Sequence, residues 1–143
     1  LIDSAAEAAR SELVRAQATL VVEQPPEVAP LEVDPLLITQ ALANLLINAA
    51  QVSPPGGRVT LAVQESVHLG RPYLAFAVRD EGRGIVPEQK EQLFHPFFTT
   101  KPQGHGLGLA VTQNIVMEHG GLITVHNRDG GGAEFCILLP LLK

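Results

Sequence analysis

The stretch PLLITQALANLLINAAQV, Pro35 to Val52, holds no charged residue and is apolar nearly all round. Such a helix is stable only when largely buried. Asp34 before it reads as an N-cap and Pro35 as the first helical residue, while Pro54-Pro55-Gly56-Gly57 stops it. Gln40, Asn44, Asn48 and Gln51 fall at spacings of four, four and three, which places the amides on one face. A buried amide without a partner costs about 1–3 kcal/mol. The face is therefore either a polar edge against solvent or a loop, or the wall of a ligand cavity in which an Asn carbonyl serves a hard cation such as Mg²⁺.

Outward from this helix the chain alternates in type. Residues 2 to about 18 are Ala-rich with charges at helical spacing, and Ala18 to Gln24 reads as a strand. PPEVAP interrupts, and LEV (Leu31 to Val33) is expected as a second short strand. Beyond the central helix, RVTLAVQES and RPYLAFAVRD alternate as an antiparallel hairpin joined through HLG. Residues 81 to 105 form a long loop rich in Gly, Pro and Thr, with one short helical piece around PEQKEQLF. A helix resumes from Leu107 to His119, Gly120-Gly121 ends it, and LITVHNR with AEFCILLP closes a hairpin around Asp129-Gly130-Gly131-Gly132. The expected fold is α+β, a two-layer sandwich with a mixed, mostly antiparallel sheet and helices on one face.

The 143 residues suit one domain. A net charge of -5, few aromatics and no Trp argue against a nucleic-acid surface, and no direct membrane contact by this domain is expected. Cys136, the single cysteine, lies in the apolar run FCILLP and reads as a core residue of a reducing, cytoplasmic compartment. Because the chain starts without Met inside a helical pattern, a fragment of a longer protein is expected.

VRDEGRGI sets an acid and two glycines directly after a strand: Asp80 can accept from an exocyclic amine, and Gly82 and Gly84 let backbone approach a flat ligand. Gly104-His105-Gly106-Leu107-Gly108-Leu109 opens a helix, whose first N–H groups suit an anion. Its G-x-G-x-G spacing, with no strand before it, is not that of a dinucleotide fingerprint, and a P-loop lysine is missing.

In order, NLLINAA, DEGRGI, LFHPFFTTK, GHGLGL and GGGAEFCILLP resemble the N, G1, F, G2 and G3 boxes of bacterial sensor histidine kinases. The resemblance spans essentially the whole chain, 1–143, is nearest to the nitrogen-regulation type, and implies the Bergerat ATP-binding fold. It makes Asn48 the Mg²⁺ ligand, Asn44 a second polar contact, and Asp80 the acceptor for the adenine amino group. Gly82 and Gly84 would make room for the base, with Ile85 packed near it. Residues 87–105 would form a lid over the phosphates, with Lys101 a phosphate contact. Gly104, His105, Gly106, Leu107, Gly108 and Leu109 would bring the lid's end and a helix start to the phosphates. Phe94, Phe97 and Phe98 are expected to pack the lid. Gln51, His105 and Ala133 depart from the usual pattern, standing where a basic residue, a small hydroxyl residue and a Thr are common.

Related ATPases place a glutamate base one turn before the metal-binding Asn; here that position is Asn44, an amide that cannot accept the proton. The resemblance thus implies phosphotransfer from ATP to a histidine on a separate dimerisation domain, with a response regulator as further partner and no catalytic residue in this chain. None of His68, His95, His105, His119 and His126 has the surroundings of such an acceptor. The isolated domain is expected to be monomeric and not to autophosphorylate. An anti-sigma-type serine kinase and a nucleotide-sensing pseudokinase of the same fold are the alternatives.

Overall fold

The computed structural model describes residues 1–94 and 108–141. Three helices, α1 (Ile2–Ala16), α2 (Pro35–Val52) and α3 (Gly108–Glu118), accompany five strands: β1 (Thr19–Glu23), β2 (Arg58–His68), β3 (Arg71–Arg79), β4 (Leu122–Asn127) and β5 (Ala133–Pro140). A 3-10 helix, Pro87–Gln92, follows β3. The sheet runs β1-β2-β3-β5-β4, with β1 parallel to β2 and every other neighbour antiparallel.

Local chemistry explains the ends of the elements. The Asp34 carboxylate accepts from the N–H groups of Leu36 (3.0 Å) and Leu37 (3.3 Å), and Pro35 has no N–H to leave unpaired. α1 stops at Ala16 because Gln17 turns left-handed (φ 58°), and the chain re-enters as β1. The expected strand LEV does not form. Pro25, Pro26 and Pro30 remove donors from the segment before it, and Leu31 and Val33 instead pack against the core from a loop.

β3 shows how the layers are divided. Leu74, Phe76 and Val78 point toward the helices and are at most 1% exposed, beside Val59 and Leu61 of β2 and Ile137 and Leu139 of β5. α2 lies between α1 and α3 and adds Ile38, Leu42, Leu45 and Leu46, all fully buried. By length and composition α2 could cross a membrane, but its large apolar side chains mostly face this core, with Leu36 exposed. Each such side chain contributes about 1.5–3 kcal/mol on burial. On the opposite face Tyr73, Ala75 and Leu138 form a small satellite cluster with Cys136. Cys136 is thus half-buried on the outer face of the sheet instead of in the main core, and burial pushes its thiol up to about 11.

His119 ties the two longest-range ends together. Its Nε2 accepts from the Asp34 N–H (3.1 Å) while Nδ1–H donates to the Ile115 carbonyl (2.8 Å), an arrangement that requires the neutral ring protonated on Nδ1. His126 pairs with Glu134 at 2.7 Å and His68 meets the Tyr73 ring edge-on, so these three histidines serve the fold. His95 and His105 lie outside the described residues.

Candidate functional site at the end of strand β3

Three pieces of chain meet where β3 ends, the Asp80–Ile85 turn, the end of α2 and the β4–β5 turn, while the start of α3 meets α2 at Asn44. Asp80 is their centre. It is 2% exposed, and its N–H donates to the Ala133 carbonyl at 3.0 Å, one step beyond the β3–β5 ladder. Its Oδ1 accepts from the N–H groups of Gly82 (2.9 Å) and Ala133 (3.2 Å). Among the described residues nothing bonds to Oδ2, which leaves one carboxylate oxygen for a ligand. Burial is the largest influence and raises the Asp80 pKa, while the two backbone donors and the Arg128 charge pull it back.

The glycines around it are required by protein contacts. A Cβ on Gly82 would sit 2.6 Å from the Val52 carbonyl at the end of α2. Gly84 is left-handed (φ +86°), and a Cβ there would lie 2.6 Å from the Asn127 amide oxygen. The expected clearance for a flat ligand is therefore taken up by α2 and β4 at these two positions. Asn127 uses both ends of its side chain on Ile85, accepting from its N–H (2.6 Å) and donating to its carbonyl (3.0 Å). Arg128 Nη1 donates to the Asp80 carbonyl at 2.6 Å.

The amide stripe of α2 divides in two. Gln40 and Gln51 are exposed, whereas Asn44 and Asn48 are half-buried. Asn44 Nδ2 donates to the Gly108 carbonyl and to Thr112 Oγ1, both at 3.3 Å, and so fixes the first turn of α3 against α2. Asn48 lies one turn further along the same face. Ile85 and Leu109 pack on the main core, and Phe94 meets Phe135 edge to face at 6.4 Å, which anchors the chain at the start of the loop. Lys101, Gly104, His105, Gly106 and Leu107 lie outside the described residues, as do Phe97 and Phe98.

Asn127, Arg128 and Thr112 were not singled out by sequence reasoning. Their partners stand 42, 48 and 68 positions away, beyond the reach of any local pattern. The one available signal was the Gly130-Gly131-Gly132 run beside them, which marks a turn with unusual backbone demands.

Residues 33–143 match the family described as histidine kinase-, DNA gyrase B-, and HSP90-like ATPase. The chain belongs to that family. Among relatives of this ATPase family, the sensor histidine kinase ZraS of Salmonella typhi is 45% identical over 112 residues, 78% of this chain and 23% of ZraS. The chain thus spans less than a quarter of the length of that kinase. The catalytic domain of histidine kinase ThkA superposes with a TM-score of 0.83 at 29% identity, covering 98% of this chain and 91% of that one. Full-length ShkA, solved in complex with AMPPNP, gives 0.80 at 25% identity over 99% of this chain and 30% of its own. The fold is the Bergerat fold of histidine kinase catalytic domains, an open mixed sheet with helices on one face.

The Ala133 contact with Asp80 runs through the backbone N–H and so does not depend on the side chain at that position. No cluster of three or more His, Cys, Asp or Glu able to hold a metal exists among the described residues. A protein cage for a divalent ion is therefore absent there. A single half-buried amide such as Asn48 fits Mg²⁺ that arrives with phosphates supplying most of its oxygens.

Proposed function

We propose that this domain binds Mg-ATP and donates the γ-phosphoryl group to a histidine on a separate dimerisation domain of a two-component sensor kinase, which in turn serves a response regulator. The observation that carries the reading is Asp80: a buried carboxylate with Oδ1 held by two backbone donors and Oδ2 left to accept from the adenine amino group. Asn48 would contribute the ligand for the ion bound with the nucleotide, and that ion supplies charge neutralisation at the β- and γ-phosphates. The structure of ShkA with AMPPNP supports a nucleotide in this fold. Lys101 and the Gly104–Leu109 stretch are proposed to reach the phosphates, with residues 87–105 as the lid.

The base is proposed to come with the acceptor. α2 carries no ionisable side chain, and the Asn44 amide is engaged by the first turn of α3, so no group on this helix can take a proton from water. A histidine nitrogen of the partner domain would instead attack the γ-phosphorus, the bond to the β,γ-bridging oxygen would break, and ADP would leave. We place this reaction in the cytoplasm, where ATP is available.

The test is the full-length protein incubated with γ-labelled ATP. Label on a histidine outside this chain is expected; binding of ATP with no label transferred would overturn the kinase reading and leave a nucleotide-sensing module. Asn48→Asp bears on the ion: a new carboxylate near the phosphates costs on the order of 1 kcal/mol without metal. Titration calorimetry should then show a stronger dependence of ATP affinity on Mg²⁺, and an unchanged dependence would place the ion elsewhere.

A further inference from the structure

The last rung of the β4–β5 ladder, Asn127 opposite Ala133, holds both ends of the turn that follows β3. Ala133 takes the first end: its carbonyl accepts from the Asp80 N–H at 3.0 Å and its own N–H donates to Asp80 Oδ1 at 3.2 Å. Asn127 takes the second. Its Oδ1 accepts from the Ile85 N–H at 2.6 Å and its Nδ2 donates to the Ile85 carbonyl at 3.0 Å, so one side chain satisfies both polar groups of one backbone residue. Among the described residues, no other hydrogen bond reaches the backbone of residues 83–85. Asn127 is exposed, where water can serve an amide, so burial does not force the pairing. The stretch is irregular and contains the left-handed Gly84, and its fastening to the sheet depends on that one side chain.

We propose that Asn127 is a positioning residue for nucleotide binding: by fastening Ile85 to the rung that also holds Asp80, it fixes the shape of the turn before the base arrives. The inference rests on the proposed placement of adenine at this turn. A loop already held in its bound shape loses little conformational freedom when a ligand enters, whereas ordering a loose one subtracts from affinity. Fixing the backbone of a single residue costs on the order of a factor of ten in an equilibrium constant. Asn127 touches no nucleotide itself and acts through Ile85. Its effect therefore falls on the base end of the ligand and spares the phosphates, which are proposed to lie against the start of α3.

The experiment titrates adenosine, ATP and inorganic tripolyphosphate, each with Mg²⁺, into the full-length protein by calorimetry, comparing wild type with Asn127→Leu, Asn127→Asp and Asp80→Asn. Asn127→Leu keeps the branched shape without polar atoms and is expected to weaken adenosine and ATP by the same factor, roughly tenfold, while leaving tripolyphosphate unchanged. Asn127→Asp keeps an acceptor for the Ile85 N–H but sets a charged oxygen against the Ile85 carbonyl, and should weaken the same two ligands and spare the third. Equal loss on all three ligands would reduce Asn127 to a structural contact and overturn the proposal, as would wild-type affinity in both variants. Amide hydrogen exchange in the nucleotide-free wild type needs no variant to fold: the Ile85 N–H should be protected while those of Arg83 and Gly84 exchange freely, and equal rates would also overturn it. Asp80→Asn separates the two levels of inference. If it loses adenosine affinity while the Asn127 variants keep theirs, the assignment to Asn127 alone fails; if it binds adenosine as wild type does, the base lies elsewhere and the underlying reading fails with it.

Discussion

Asp80→Asn should make the nucleotide-free domain more stable at neutral pH while weakening adenine nucleotide binding by about 1.5–3 kcal/mol, the worth of a hydrogen bond to a charged group. The stability gain follows from the direction of the pKa shift. Burial raises the folded-state pKa of Asp80 above its ordinary 3.8, so the folded protein favours the protonated carboxyl. The stabilisation linked to that proton is fully present below 3.8 and is lost as pH rises through the higher folded-state value. Above its folded-state pKa the wild type therefore holds an ionised carboxylate against the cost of its burial, and asparagine does not. The amide oxygen can still accept from Gly82 and Ala133, which keeps the turn intact. Thermal melts of the two proteins should diverge from about pH 4 upward, with the variant melting higher. A variant that melts lower at pH near 7, or that binds ATP as tightly as wild type, would contradict this account of the site. The pairing of gain and loss is the signature of a residue retained for binding at the expense of stability.

Among the described turns, Gly132→Ala should be the most disruptive single methyl group. Gly132 has φ +90°, a region hostile to L side chains, and an added Cβ would collide with the Asp80 carbonyl, the acceptor of the Arg128 bond. Backbone strain and overpacking each cost about 1–3 kcal/mol, so a loss on the order of 3 kcal/mol or more is expected, with nucleotide affinity falling in step because Asp80 must move. Gly130→Ala is the matched control. It too is left-handed (φ +86°), but nothing lies within 4 Å of its Cβ position, so only the strain of about 1 kcal/mol applies. Denaturant unfolding of the two variants should separate them clearly; equal losses would mean that contact with Asp80 is not what demands glycine at 132.

Those two glycines also show where reading the residues alone stops. Both stand in one run and look alike in the sequence, and only the approach of the β3 end to one of them distinguishes their roles. Gly82 and Gly84 are similar: as residues in DEGRGI they suggest space for a ligand, whereas the folded chain puts the Val52 carbonyl and the Asn127 amide in that space. The polar face of α2 was legible as a face, but its division was not. Asn44 and Asn48 are half-buried and Gln40 and Gln51 exposed along that one face, and the α3 contact that covers Asn44 is made 64 residues along the chain.

What the residues determined by themselves is local. Asp34-Pro35 caps α2, alternation writes the β2–β3 hairpin and its buried face, and the order of the glycine and asparagine motifs points to a histidine-kinase-like ATP-binding domain. Each depends on neighbours within a few residues, where propensity, capping and periodicity act. Only the tertiary structure decided that LEV would pack as a loop and not as a strand, that Asn127 and Arg128 would clamp the turn after β3, and that Asp80 would be buried with Oδ1 held by two backbone donors. Those outcomes depend on which segments the core brings together across tens of residues. Burial then makes the pairing of each polar atom a condition of the fold.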